Sequence, residues 1–470
     1  MADELWKLSA VELAELTRCR EISAEEAIQS SVDRMREANG SVNAVTRDCG
    51  DEALQTARAL DASAANTSME LPPLFGVPAT IKDNIDVAGQ STPNGLKALD
   101  GLIAESDSPV TRNLKRNGAI IIGRTNAPEF SYRYFTDNPL FGMTLNPWDK
   151  ELTPGGSSGG ASAAAALGFG PIHHGNDLGG SLRYPAYCCG VATIRPTLGR
   201  VPAFNGTNAA ERPALITIMS VQGTIAREVR DVRLGTRIMA EHDPRDPWWV
   251  PAPFEGPRPD GPIKVALTRA PSGFDIDAGV ARALDQAARW LEDAGYVVEE
   301  ADPPHVTEVQ QLWRDLIMTE TETLSRAAMD DMGSEAIHNA VGAMTSLSTV
   351  RDLEGYLRGM GDRTRVLRDW LVFMEDYPLV LSPLSLQPAF PQNADQHGTQ
   401  RMSEIMDAQI HMSNMNFLGL PAAVVPVGLE NGVPIGVQIA GSRYREDLCL
   451  DAAEAIEANV GVLVHQLWDR

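Results

Sequence analysis

The sequence predicts an α/β fold in which a mixed β-sheet is covered by helices, and three observations carry that prediction. From Leu71 onward, short β-branched runs broken by Gly and Pro alternate with helical stretches. Before that point the chain reads as amphipathic helices. Its 470 residues are 43% hydrophobic and 22% charged, a balance that buries a sizeable core in one large domain or in two to three smaller ones.

The first 65 residues open with side chains suited to cap free backbone donors. Ser9 with Glu12 and Ser23 with Glu26 both fit a capping box, and Ala27, Ile28, Val32 and Met35 then recur at helical spacing. Strands are predicted at 77–81, 119–122 and 170–174, with a helix over 108–117. The Pro-rich stretch 243–262 reads as a surface connection, although Trp248, Trp249 and Phe254 argue that it packs on something. Beyond it come a strand at 264–268, a helix at 278–294 and a strand at 296–300. A mostly helical, Met-rich region follows over 306–374, and strands at 422–427 and 434–441 precede a last helix started by Glu446 or Asp447. No repeat or low-complexity tract is evident.

Asp and Glu outnumber Lys and Arg 63 to 40, and a net charge of −23 repels phosphate backbones and anionic lipid. Nucleic acid and membrane are therefore not expected as partners. Asp3 and Glu4 stand where a signal peptide would be cationic, and no run approaches the about 18 apolar residues of a membrane span, so a cytoplasmic protein is expected. The five cysteines, Cys19, Cys49, Cys188, Cys189 and Cys449, show no CxxC spacing. A disulfide framework is not expected, and adjacent Cys188 and Cys189 read as buried thiols rather than metal ligands.

The most unusual segment is TPGGSSGGASAAAALG at 153–168, a tight glycine loop leading into an alanine-rich helix. A phosphate cradle is disfavoured because the Lys-Ser/Thr ending of such loops is missing. A nucleophile elbow fits GxSxG around Ser158, but NPWDKELTP before it does not read as a strand. A flexible linker fits poorly with the close-packing Ala run. The remaining reading makes one serine a relay between a base and a second serine. Ser181 follows two glycines in HHGNDLGGSLRYPA at 173–186, where Leu178, Gly179, Gly180 and Ser181 can point backbone N–H groups at one oxyanion. Lys82 ends the apolar run of GVPATIKDNIDV at 76–87, and burial there would lower its pKa and make it a base.

Together these three segments, in this order and at this spacing, resemble the amidase signature family, whose members use a Ser, cis-Ser and Lys triad. The similarity extends to TNAPEF at 125–130, NPLFGMTLNPWD at 138–149, TLGRVP at 197–202, LGLPAAVVPVG at 418–428 and GVQIAG at 436–441. It implies a single large domain with a central, twisted mixed sheet of many strands and helices on both faces. Within it, 1–65 would be an N-terminal helical segment, 66–235 the signature core, 236–400 a variable substrate-pocket region and 401–470 closing strands and a helix. The resemblance implies Ser181 as nucleophile, Ser157 as relay after a cis peptide, Lys82 as base, and Ser158, Asp177 and Arg183 as supporting residues. Arg183 would hold the loop by an ion pair rather than bind a substrate carboxylate. His173 and His174 suggest a Ser-His-Asp triad, yet the resemblance leaves histidine no catalytic task. No metal or cofactor is implied.

The expected activity is hydrolysis of a neutral or aryl or alkyl amide, a small molecule, by a protein that could form a homodimer. Tyr132, Trp313, Leu316, Ile317, Met344 and Phe390 are the pocket candidates, the last five drawn from the Met-rich helices and from LSLQPAFPQNADQHG at 384–398. Two alternatives stand beside this reading. One is the glutamine-hydrolysing component of a tRNA-dependent amidotransferase, and the other is a non-catalytic binding protein on the same scaffold.

Overall fold

The apolar runs pair into one sheet in the computed structural model, which describes residues 2–65 and 70–469. Among these residues there are eleven strands: β1 (Val45–Asp48), β2 (Pro78–Lys82), β3 (Ile120–Thr125), β4 (Ile172–Asp177), β5 (Ala192–Arg195), β6 (Val221–Ala226), β7 (Lys264–Leu267), β8 (Val297–Glu300), β9 (Leu379–Pro383), β10 (Ala422–Glu430) and β11 (Val433–Gly441). They lie in the order β1-β3-β2-β4-β6-β5-β10-β11-β9-β7-β8. β2 runs parallel to β3 and β4, and β7 runs parallel to β8 and β9; the other pairs are antiparallel.

Every residue of β2, β3 and β4 is buried, as a strand covered on both faces requires. Successive residues of β3 show the two sides. Ile120 and Ile122 join a core with Met35 and Ala161–Ala166, while Ile121 joins another with Leu13, Val110 and Leu114. The two capping boxes form as expected, with Ser9 and Ser23 each accepting the amide of the glutamate three residues on.

The structure departs from the sequence reading in several elements. The N-terminal segment is not all helix, because Val45–Asp48 pairs with the β3 edge. β5, β6 and β9 were not expected; β5 and β9 are four and five residues long, too short for a periodicity to show. β4 continues past His174 through Gly, Asn and Asp, residues of low strand propensity held by antiparallel pairing to β6. In the Pro-rich strap, Trp249 donates its indole N–H to the Ala240 carbonyl at 2.9 Å, and Phe254 lies under Arg200 and Arg237, whereas Trp248 is exposed. The boundary expected after residue 65 meets residues outside the described ones. Cys188 and Cys189 are buried free thiols, and Cys19 is exposed. No helix of the described residues is long and apolar enough to cross a membrane.

Candidate active site

β2 ends on Lys82, whose side chain is fully buried, and two neighbours receive it. Its Nζ lies 2.7 Å from Ser157 Oγ and 2.7 Å from Asn176 Oδ1. Burial strips water from the ammonium and pushes the pKa down to about 7, against the opposing pull of Asp177 and Asp83. A lysine of that affinity is a usable base near neutrality.

Ser157 comes from the glycine loop, and the Gly156–Ser157 peptide is cis. The loop is packed rather than flexible: a Cβ on Gly156 would fall 2.5 Å from the Arg133 carbonyl oxygen. The helix Gly159–Leu167 follows it, with Ala161–Ala166 buried. Ser158 is fully buried and donates to the Asn176 carbonyl at 3.5 Å, and no strand precedes it. That arrangement is not a nucleophile elbow.

Ser181 follows β4 through the turn Asp177–Gly180 and lines a cavity with Leu178 and Gly179. Asp177 organises this turn. It accepts the Gly180 amide at 2.8 Å, the Leu182 amide at 3.3 Å and the Asn416 side chain at 2.7 Å, and it pairs with Arg183 at 2.9 Å. Burial alone would raise its pKa, but the Arg183 and Arg195 guanidiniums and the Asn416 amide outweigh that and hold the carboxyl below the usual carboxylate range. One expectation is corrected here. The Gly180 N–H is spent on Asp177, so it is not free for an oxyanion; the amides of Leu178, Gly179 and Ser181 donate to no protein acceptor among the described residues. Arg183 is fully buried and also donates to Met412 O, Gln438 Oε1 and Asn416 Oδ1 at 2.7–2.9 Å, which ties the loop to the helix Ile410–Leu418 and to β11. Its donors are turned to the protein.

The histidines serve packing. His173 bonds Thr80 and the Gly170 carbonyl at 2.8 and 2.9 Å, and His174 bonds Gln222 at 2.9 Å. Burial pushes both down to about 3, so both rings are neutral.

Beside Ser181 lies a narrow, partly open cavity. Tyr132 and Tyr134 line it from the loop after β3. Trp313, Ile317 and Met318 reach it from the helix Val306–Glu320, and Met344 and Met406 from the helices Glu335–Ser346 and Gly398–Ala408. The wall is thus aromatic and thioether, with little charge. Two pocket candidates do not reach it. Leu316 packs on the opposite side of its helix, where a Cβ on Gly359 would lie 2.7 Å from its Cδ2. Phe390 lies beneath Arg401, with 5.0 Å between guanidinium and ring, and lines a separate groove with Leu386 and Ala408. Buried anchors hold the helices in register with the core. Glu129 accepts the Ser334 amide at 3.0 Å before Glu335–Ser346, Glu320 accepts the Leu215 amide at 2.7 Å, and Arg133 pairs with Asp395 at 2.7 Å.

Sequence reasoning missed Asn176, Ser131, Tyr134, Met318 and Met406. Asn176 had a signal, since it stands on the same strand as Asp177 and directly before it. Met318 directly follows Ile317 in the Met-rich region already singled out, whereas Met406 had no signal, because only the fold brings its helix to that point.

Comparison with known proteins places these features. The family model described as Amidase matches residues 26–450. The chain is 52% identical over 466 residues to an indoleacetamide hydrolase of Bradyrhizobium diazoefficiens, covering 99% of this chain and 89% of that protein. It is 32% identical over 486 residues to a component of the glutamyl-tRNA(Gln) amidotransferase of Moorella thermoacetica, covering 97% of each. Among solved structures, a bacterial aryl acylamidase of the amidase signature enzymes superposes with a TM-score of 0.84 at 26% identity, covering 98% of each chain.

Proposed function

The chain belongs to the amidase family and is an amide hydrolase, and from that premise we propose that it cleaves the primary amide of an arylacetic acid, indoleacetamide foremost, through an acyl-enzyme on Ser181. The observation that carries this reading is the buried 2.7 Å contact of Lys82 with Ser157 beside a cavity that Ser181 lines and aromatic and thioether side chains wall. The indoleacetamide hydrolase at 52% identity supports the choice of substrate.

Neutral Lys82 takes the Ser157 proton while Ser157 takes that of Ser181, and the Ser181 oxygen attacks the amide carbon. Negative charge develops on the carbonyl oxygen, where the Leu178, Gly179 and Ser181 amides receive it. The relay reverses as Ser157 delivers a proton to the leaving nitrogen, and ammonia departs. Water then enters by the same relay and releases the carboxylic acid. The cavity wall is apolar and aromatic, which suits a flat apolar ring, and offers no cation for a charged substrate other than Arg133, which Asp395 already pairs. The higher identity to an indoleacetamide hydrolase, 52% against 32% to an amidotransferase component, favours this reading over an amidotransferase component or a binding protein.

The test is ammonia release from indoleacetamide by the purified chain, with no tRNA, ATP or partner present. Turnover that Ser181→Ala abolishes, together with fluorophosphonate labelling of the Ser181 peptide, is the expected result. Labelling at Ser158, or hydrolysis of glutamine alone, would overturn it.

A further inference from the structure

A lysine acts as a base only through the lone pair of its neutral amine. That amine keeps two N–H groups and one lone pair, so its neighbours decide which of these faces Ser157. One neighbour of Lys82 is Ser157 and another is Asn176, each at 2.7 Å. Turning the Asn176 nitrogen to Lys82 would require a whole directional chain to reverse with it. The Asn176 nitrogen donates to Asn84 Oδ1 at 3.1 Å, the Asn84 nitrogen donates to Ser131 Oγ at 2.9 Å, and the Ser131 hydroxyl donates to Asn94 Oδ1 at 2.7 Å. In this sense of the chain, an oxygen that can only accept faces Nζ, as a donating Lys82 requires.

We propose that Asn176 is a positioning residue for the base: its amide oxygen takes one N–H of neutral Lys82 and so turns the lone pair to Ser157, without supplying the negative charge that would hold Lys82 as ammonium. The inference rests on Lys82 being the base, as proposed above. A carboxylate at this point would accept the same N–H but trap the proton. The chain also runs on to Ser131, which lines the cavity, and thereby ties the base to the wall that meets substrate. The other charged or titratable groups around Lys82 are already engaged. Asp83 on its own strand accepts the Gly95 amide, Arg124 on β3 donates to backbone carbonyls, Asp177 on β4 pairs with Arg183, and His174 is neutral. The helix Gly159–Leu167 carries no titratable side chain, and the helix Ala24–Ala38 approaches near the far end of β2, where Ala24 crowds Gly76.

The experiment is the pH dependence of kcat/KM for indoleacetamide in the wild type, Asn176→Asp, Asn176→Leu and Asn176→Thr, with thermal melting to establish folding. In Asn176→Asp the acid limb moves to higher pH by about 1–3 pH units while activity recovers above it, because the new carboxylate stabilises the ammonium. In Asn176→Leu the limb does not rise and the plateau falls by about 100-fold, as an unaimed lone pair predicts. Asn176→Thr, which restores a neutral acceptor, regains part of the plateau and decides the matter if Asn176→Asp does not fold. Equal losses at every pH in all three, with the limb in place, would show a merely structural role and overturn the inference. A wild type without an acid limb, joined by turnover in Lys82→Met, would instead remove the base assignment on which it stands.

Discussion

Gly180 is where backbone conformation, packing and chemistry meet, and Gly180→Ala measures all three. Its φ is +105°, and a Cβ there would lie 2.1 Å from Met412 Sδ and 2.2 Å from Cε. Met412 is fully buried and has no solvent to swing into. Overpacking of this kind costs about 1–3 kcal/mol and the left-handed conformation about 1–2 kcal/mol more, so a destabilisation of about 2–5 kcal/mol is expected. Met412→Ala removes the obstacle but not the backbone cost. In that background Gly180→Ala should therefore cost only about 1–2 kcal/mol. Urea denaturation followed by tryptophan fluorescence reads these differences. Ammonia release reads the chemistry. Because the Gly180 amide is fixed by Asp177, a shifted turn also displaces the Leu178, Gly179 and Ser181 amides, and turnover should fall in both backgrounds. Equal stability loss with and without Met412 would refute the packing argument, and a fully active Gly180→Ala would refute the role given to the turn.

Three further outcomes are expected. Ammonia release should be lost as pH falls through about 7, since burial holds the Lys82 pKa there and only the neutral amine works; His173 and His174, pushed down to about 3, add no limb in that range, and a flat profile would sink the reading. Arg183→Ala should cost about 3–5 kcal/mol in urea denaturation because it leaves Asp177 buried without its counter-charge, and Asp177→Asn in the same background should recover part of that; a loss under about 1 kcal/mol would speak against the pair as the anchor of the turn. Trp313→Ala should raise KM for indoleacetamide about tenfold or more while a small aliphatic amide is little affected, whereas Leu316→Ala should lower stability by about 2–5 kcal/mol with KM unchanged. The reverse pattern would exchange the two faces of that helix.

What could be read from the sequence was what local chemistry dictates. Capping serines stand three residues before their glutamates and β-branched runs announce buried strands, whereas a lysine closing an apolar run reads by itself as a solvated side chain and becomes a base candidate only beside the two serine segments. The misreadings share a cause in long-range contacts. β4 runs on through His174 and Asn176 because β6 pairs with it, not because those residues favour strands. Phe390 and Leu316 have the composition of a pocket wall, yet one sits under Arg401 and the other against Gly359, contacts made by segments 11 and 43 residues away.

The turn proposed to receive the oxyanion sharpens the point, because four consecutive small or apolar residues offered four equivalent amides and the fold distinguishes them. Asp177 needs donors from the turn it caps, and the Gly180 amide supplies one of them, while the amides of Leu178, Gly179 and Ser181 stay unspent among the described residues. Arg183 then has to be where it is, since Asp177 without a buried counter-charge would sooner take up a proton than hold an amide in place. One ion pair thus holds the turn, and the turn determines which amides are left without a protein acceptor among the described residues. The same logic applies to the proposed base, where Asn176 stands one residue before Asp177: on one strand a charged group is fully paired to build the turn, and the proposed role of the neutral group beside it is to leave Lys82 free to give up its proton. Exchanging the two chemistries, Asn for Asp at 177 or Asp for Asn at 176, should therefore fail in different ways. The first should loosen the turn and lower turnover at all pH values, and the second should leave the turn intact and move the acid limb upward. pH profiles of the two variants that could be superposed would show that the strand does not divide the labour in this way.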